Sequence, residues 1–234
     1  MAVQDSDRAV IEDRGLSGFT RIDMRGIGDL VLTQGEADSV TVVADDDVIS
    51  HVLTEVRDGT LVLSAKPGPW WRVVMRRHTT IRFEVTIAAI EALSLSGVGD
   101  VEAGPIRADE LAVVLSGTGD ITVESLDARG LAVTVSGAGE FEVWGGSVER
   151  QTVAVSGAGE YRADGMRSES ADVRVSGAGE IRLDVRAHLD AVISGAGSIK
   201  YHGTPEVTRR ISGVGSIKAL GGREASTEPK EEWS

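Results

Sequence analysis

Apolar and polar residues alternate along most of this chain, and the alternation restarts at a fixed landmark. That landmark is the tetrapeptide Ser-Gly-x-Gly, starting at Ser96, Ser116, Ser136, Ser156, Ser176, Ser194 and Ser212. One residue before each serine stand Leu95, Leu115, Val135, Val155, Val175, Ile193 and Ile211. Three before stand Leu93, Val113, Val133, Val153, Val173 and Ala191, with Arg209 breaking the column. Five after come Val101, Ile121, Phe141, Tyr161, Ile181, Ile199 and Ile217, and seven after come Ala103, Val123, Val143, Ala163, Leu183, Tyr201 and Ala219. A period of two rich in β-branched residues predicts strands. The intervening Thr122, Glu142, Arg162, Arg182 and Lys200 are polar and so face solvent. The repeat region has no long stretch of period 3.6.

The landmark recurs at steps of 20, 20, 20, 20, 18 and 18 residues. A short fixed period means one supersecondary unit stacked on itself. Each unit is a strand, a Gly-x-Gly corner and a further strand. A corner needs either positive φ or a backbone pressed against the next coil, and glycine meets both demands at least cost. Fourteen of the 29 glycines stand in these corners. Coils of about 20 residues hold two or three short strands, stacked in parallel at ~4.8 Å. Parallel crossovers are right-handed in nearly all cases. The expected fold is all-β: a right-handed parallel β-solenoid.

Before the repeats the pattern loosens. Arg25-Gly26-Ile27-Gly28-Asp29-Leu30 imitates the later corners, with Arg for Ser, and is read as an eighth, diverged corner. Strand-like pieces follow at Val40–Val43, Leu61–Leu63 and Ile81–Ile87, with a short helical turn or irregular strand over Val48–Val56 and a tight turn at Asp58-Gly59. These predict wider, irregular rungs on the same stack. The expected layout is a flexible or capping arm over 1–14, one solenoid domain over 15–222 (irregular over 15–95, regular over 96–222) and a disordered tail over 223–234. The open ends of a solenoid are sheet edges and need protection. Arg209 and Lys218 place charge at the last rung.

Composition narrows the function. Of 234 residues, 37 are acidic and 24 are Lys or Arg, a formal net charge of −13. Nucleic-acid binding needs a basic face, so it is not expected. There is no cysteine, hence no disulfide, thiol nucleophile or Cys-ligated metal. No apolar run approaches the 18 or so residues of a membrane span. Met1–Arg14 lacks the apolar core of a signal peptide.

The seven corners, the first five followed by Asp or Glu and then an apolar residue, the Gly203-Thr-Pro string and the opening Phe19-Thr-Arg-Ile-Asp-Met-Arg-Gly26 resemble one known family. It is the bacterial putative auto-transporter adhesin domain, also called the head GIN domain. The resemblance spans roughly residues 16–220. It implies a parallel β-helix in a cell-envelope or secreted setting and supplies no catalytic residues. The cytoplasm is the alternative setting, because this chain shows no signal peptide.

Three sets of residues are candidates for function. Four positions after the serines stand Asp100, Asp120, Glu140, Glu160 and Glu180, then Ser198 and Ser216. Stacked in register, such a column is a candidate calcium site. Its alternative is simple screening by Arg162, Arg182, Lys200 and Lys218 on the same face. The second set is Trp70, Trp71, Arg72, Arg76 and Arg77, two aromatic anchors in a Pro/Gly turn beside cations. They suit a protein or glycan partner, or else a lid over the irregular rungs. The third is catalytic. His51, His78, His188 and His202 form no zinc or nucleophile pattern, and short corners build no groove. No cofactor and no enzymatic activity are expected. The expected function is a non-enzymatic binding or structural module. A scaffold that polymerises end to end, and so a homo-oligomer, is the alternative, with a carbohydrate-active enzyme third.

Overall fold

The fold is described from a computed structural model over residues 9–66, Gly68 and 81–221. Its N-terminal strands are β1 (Ala9–Asp13), β2 (Arg21–Met24), β3 (Asp29–Gln34), β4 (Ser39–Asp45), β5 (Val52–Arg57), β6 (Thr60–Ala65), β7 (Arg82–Ile87) and β8 (Ala92–Leu95). The repeats form β9 (Val101–Leu115), β10 (Ile121–Val135), β11 (Glu140–Val143), β12 (Gly146–Val155), β13 (Glu160–Val175) and β14 (Glu180–Ile193). The last coils hold β15 (Ser198–His202), β16 (Glu206–Ile211) and β17 (Ser216–Ala219). Together they make a β-solenoid of about six turns.

Stacking is parallel and in register. Ile121 pairs with Val101 on one side and Phe141 on the other, and Val133 with Val113 and Val153. The coil shortens between β13 and β14. Ala163 still pairs with Leu183, but Arg167 pairs with Asp184, so Asp164-Gly165-Met166 bulge out of the ladder. Beyond that point Ile181, Ile199 and Ile217 stack at the shorter step.

The corners lie on one line. Val98 N donates to Gly26 O (3.0 Å), Thr118 N to Gly97 O (3.1 Å), Ala178 N to Gly157 O (3.1 Å), Ala196 N to Gly177 O (3.0 Å) and Val214 N to Gly195 O (3.0 Å). A Cβ on Gly97 would collide with the carbonyl of Gly26. The same holds for Gly117 on Gly97, Gly137 on Gly117, Gly157 on Gly137, Gly177 on Gly157, Gly195 on Gly177 and Gly213 on Gly195. The first glycine of each corner is therefore fixed by the coil it lies on. Gly28, Gly99 and Gly119 carry the further demand of φ near +140° (141°, 143° and 137°).

The interior is filled. The four expected inward columns are buried as far as Ile199 and open in the last coil, and a coil such as β9 adds Ile106 and Leu111, at 3% exposure each. Leu126, Val148, Met166 and Val185 occupy the corresponding third side in later coils. Each such side chain contributes about 1.5–3 kcal/mol on burial. Phe141 stacks on Tyr161 with ring centroids 5.6 Å apart. The buried Tyr161 hydroxyl donates to Gln151 Oε1 (2.6 Å), Gln151 Nε2 to Ser168 Oγ (2.7 Å) and Ser168 Oγ to the Asp184 carbonyl (2.8 Å). A buried phenol needs such a partner. Gln151 supplies it from a column that is otherwise aliphatic, with Leu111, Leu131, Ala171, Leu189 and Val207.

The N-terminal rungs are not stacked in chain order. β2 and β3 lie between β6 and β7 on one side and β8 and β9 on the other, all parallel. The segment from Gly35 to Glu91 thus leaves the stack, returns beneath it and rejoins above. Beyond β6 and β7 the pairing turns antiparallel: β5 on β6, β4 on β7 and β1 on β4. Irregular rungs were expected here. Of these, the β5–β6 pairing arises because β5 reverses directly into β6 through Asp58-Gly59, with φ of 50° and 73°, the signs of a tight hairpin turn.

Replacing Gly157 by Ala is expected to cost at least about 1–3 kcal/mol, because the obstacle is the carbonyl of the coil below. Gly104→Ala, where a Cβ meets nothing within 4 Å, should be neutral or stabilise by about 0.4–1 kcal/mol. Denaturant unfolding of both variants checks this.

Candidate functional site

The acidic column forms as a physical line and begins one corner earlier than the repeats, at Asp29. Its first members act on main chain. Asp29 Oδ1 accepts the N–H of Asp100 (3.1 Å), Asp100 Oδ1 that of Asp120 (2.9 Å) and Asp120 Oδ1 that of Glu140 (2.8 Å). From Glu160 onward the corresponding N–H goes instead to a corner carbonyl, Glu160 N to Gly139 O (3.0 Å) and Ser198 N to Gly179 O (3.1 Å). This explains the composition of the column. Where the corner glycine has positive φ, a short carboxylate must reach the next coil's amide, and the residue is Asp. Where it does not, the position is released to Glu and then to Ser. The run of three Asp, three Glu and two Ser was a legible signal of two corner types.

The released glutamates meet cations. Arg162 lies 2.9 Å from Glu140 and 2.8 Å from Glu160, Lys200 lies 2.9 Å from Glu180, and Arg182 pairs with Glu180 as well. Ser198 Oγ donates to Glu180 at 3.0 Å. Lys218, the last of the four cations expected to screen this face, makes no ion pair with the described residues. Burial pushes the Glu140 carboxyl above its ordinary range; Arg162 opposes this, and the neighbouring Glu142, Glu160 and Asp120 add to it. For Glu180 burial acts in the same direction. Hydrogen bonds from Lys200, Arg182 and Ser198 outweigh it and hold the group at about 2. Among the described residues no group of three or more His, Cys, Asp or Glu is placed to hold a metal ion.

A second ladder runs along another edge. Arg129 pairs with Asp109 one coil away. Glu110 reaches Arg150 (3.0 Å) two coils away, and its carboxyl crosses the space that a side chain at position 130 would fill.

Trp70, Trp71, Arg72, Arg76 and Arg77 lie outside the described residues, as does His78. The chain leaves the described region beside a groove of about 790 Å³ at the N-terminal end of the corner line, lined by Arg25, Ile27, Lys66, Gly68, Val98 and Thr118. The other three histidines are dispersed. His188 faces Glu206 at 3.7 Å, and His202 Nδ1 lies 3.0 Å from the Gly221 carbonyl. His51 stands in the short 3₁₀ turn before β5. No helix of the described residues is long and apolar enough to cross a membrane.

The corner motif, its spacing and the stacked coils match one family profile over residues 18–205: the putative auto-transporter adhesin, head GIN domain. The chain belongs to this family. A putative adhesin from Bacteroides fragilis superposes with a TM-score of 0.84 at 25% identity, covering 94% of this chain and 100% of that one. A putative adhesin from Parabacteroides distasonis gives 0.72 at 18% identity, over 91% and 97% of the two chains. A protein of the same organism described as a putative lipid binding protein gives 0.68 at 23% identity, over 92% and 98%. The last two show the shared fold. None of the curated proteins matches the chain in sequence. Neither the family nor these neighbours carry an enzyme name.

Two outcomes test the column. Asp120→Ala should cost about 1–2 kcal/mol by leaving the Glu140 amide unpaired, whereas Asp120→Asn, which keeps the acceptor, should cost much less; thermal unfolding separates them. The pH dependence follows from Glu180. Its folded value lies below its ordinary 4.5, so its stabilisation is complete above that pH and is lost as pH falls toward about 2. Glu180→Gln should therefore melt below the parent at pH 7, with the gap closing as the pH is lowered through that window.

Proposed function

We propose that this chain is a non-enzymatic binding module of the bacterial cell envelope, of adhesin type, which works by presenting rigid exterior surfaces to a protein or glycan partner. The observation that carries this reading is the filled interior. Side chains occupy the coil from wall to wall, so the described residues leave the outside as the working surface. The ladders at Glu110–Arg150, Glu140–Arg162–Glu160 and Glu180–Lys200 tie successive coils together on that outside. A stiff surface loses little conformational entropy on binding. Family membership and the B. fragilis neighbour support the adhesin reading and the envelope setting.

The partner-binding residues proposed are Trp70, Trp71, Arg72, Arg76 and Arg77. Large aromatics and arginines are the usual anchors of interfaces. Lys66 and Gly68, just before them in the sequence, line the corner groove. Such a groove, lined largely by main chain and small side chains, would seat an extended partner.

The double variant Trp70→Ala, Trp71→Ala should bind glycan and envelope-protein arrays at least ~10-fold more weakly than the parent while melting within a few degrees of it. Unchanged binding, or a collapse of the melting temperature, would count against the assignment.

A further inference from the structure

The large exposed hydrophobics gather at the two ends of the molecule. Among the described residues, Val10, Ile11 and Leu53 lie on β1 and β5 at one end, and Ile211, Val214 and Leu220 on the last coil at the other; only Val98, Val114 and Trp144 lie elsewhere. The last coil shows why. Ile211 holds the column position of Ile193, yet it is 45% exposed where Ile193 is 0%, because no further coil covers it among the described residues. Val214, at the x position of the final corner, is 87% exposed.

These ends belong to one sheet. From β17 the pairing runs through β15, β14, β13, β11, β10, β9, β3, β7 and β4 to β1 without a break. Among the described residues β1 and β17 are the free ends of this ladder, while β5 and β16, each paired on one side only, end a second one. Because β1 is antiparallel to β4, and β4 to β7, β1 points the same way as β17. The β1 strand of a second copy, laid on β17, would continue the ladder in parallel.

The charges select that arrangement. β1 carries Glu12 and Asp13, and β4 runs into Asp45-Asp46-Asp47. The last coil carries Arg209, Arg210 and Lys218, none of which has an ion-pair partner among the described residues. Arg209 stands in a column position held by Ala191 one coil earlier. An inward charge on an edge blocks pairing with a like end, and two last coils set face to face would oppose arginine with arginine. An acidic end meets no such block.

We infer that the β17 end of one copy docks on the β1 end of another, head to tail, by strand addition. The interface is heterologous, so it propagates into open filaments one solenoid wide rather than closing. This inference does not rest on what the exterior surfaces bind, and array binding by an isolated copy is a separate readout.

The test is sedimentation velocity and negative-stain imaging of the full chain over a range of concentrations, at low salt and at ~0.5 M salt, where exposed charges are screened. The expected result is linear assemblies that lengthen with concentration and shorten with salt. Ile11→Asp (72% exposed) and Val214→Asp (87% exposed) touch no core packing. Each alone should raise the dissociation constant of assembly at least ~10-fold, and circular dichroism should show both folded. Mixed together, they should form a one-to-one dimer that grows no further, since each retains the end the other has lost. A chain that stays monomeric at all concentrations overturns the inference. So does an Ile11→Asp variant that still assembles alone, which would mean like ends pair.

Discussion

One constraint governs this molecule: the carbonyl of each corner occupies the space where a side chain on the next corner would begin. From Gly97, which lies on Gly26, through Gly213 the main chain lies on itself so closely that only hydrogen fits. That closeness lets the corner amides reach the carbonyls below at about 3 Å, so the sheet continues around a bend that would otherwise strand unpaired polar groups. It also fixes register. Once Gly157 sits on Gly137, Tyr161 must lie on Phe141, and Glu160 beside Glu140. Column composition, core packing and the surface ladders all follow from that alignment.

Regular stacking also concentrates like groups, and the chain resolves each conflict locally. A column of carboxylates repels itself. Its members are therefore given work: Asp29, Asp100 and Asp120 accept main-chain amides, and Glu140, Glu160 and Glu180 share Arg162, Arg182 and Lys200. A tyrosine in the core requires a polar partner, and Gln151 enters an aliphatic column to provide it. The shift to shorter coils is absorbed at Asp164–Met166, with Met166 turned into the core.

Much of this was legible in the residues. The glycine spacing predicted the stack, and the alternation around Leu115, Val113, Ile121 and Val123 predicted four of the inward columns. The diverged corner at Gly26 was visible from its flanking Met24 and Leu30. Ile106 and Leu126 were not, because the chain turns at a vertex before and after them. Each vertex shifts the alternation by an odd number of residues, and a period-two reading counted from the serine runs out of phase. The order of the first rungs was hidden for a different reason. A segment that leaves a stack and rejoins it elsewhere keeps strand-like composition, and nothing local in Val40–Val43 says that it pairs antiparallel with β7. In the acidic column the change from Asp to Glu was plain, but its meaning lies in the φ of the glycine before it, which has no side chain to signal it.

Cross-linking tests the central claim most directly, since the chain has no cysteine of its own. Ile27 and Val98 are 71 positions apart in sequence and form a bridge across adjacent coils, whereas Thr118 lies one coil further. A variant with Ile27→Cys and Val98→Cys should form an intramolecular disulfide under mild oxidation, because neighbouring parallel strands stand ~4.8 Å apart. Ile27→Cys with Thr118→Cys should not, at roughly twice that separation. The reverse outcome, or failure of both pairs in a folded chain, would mean that the corner at Gly26 does not lie beneath the corner at Gly97.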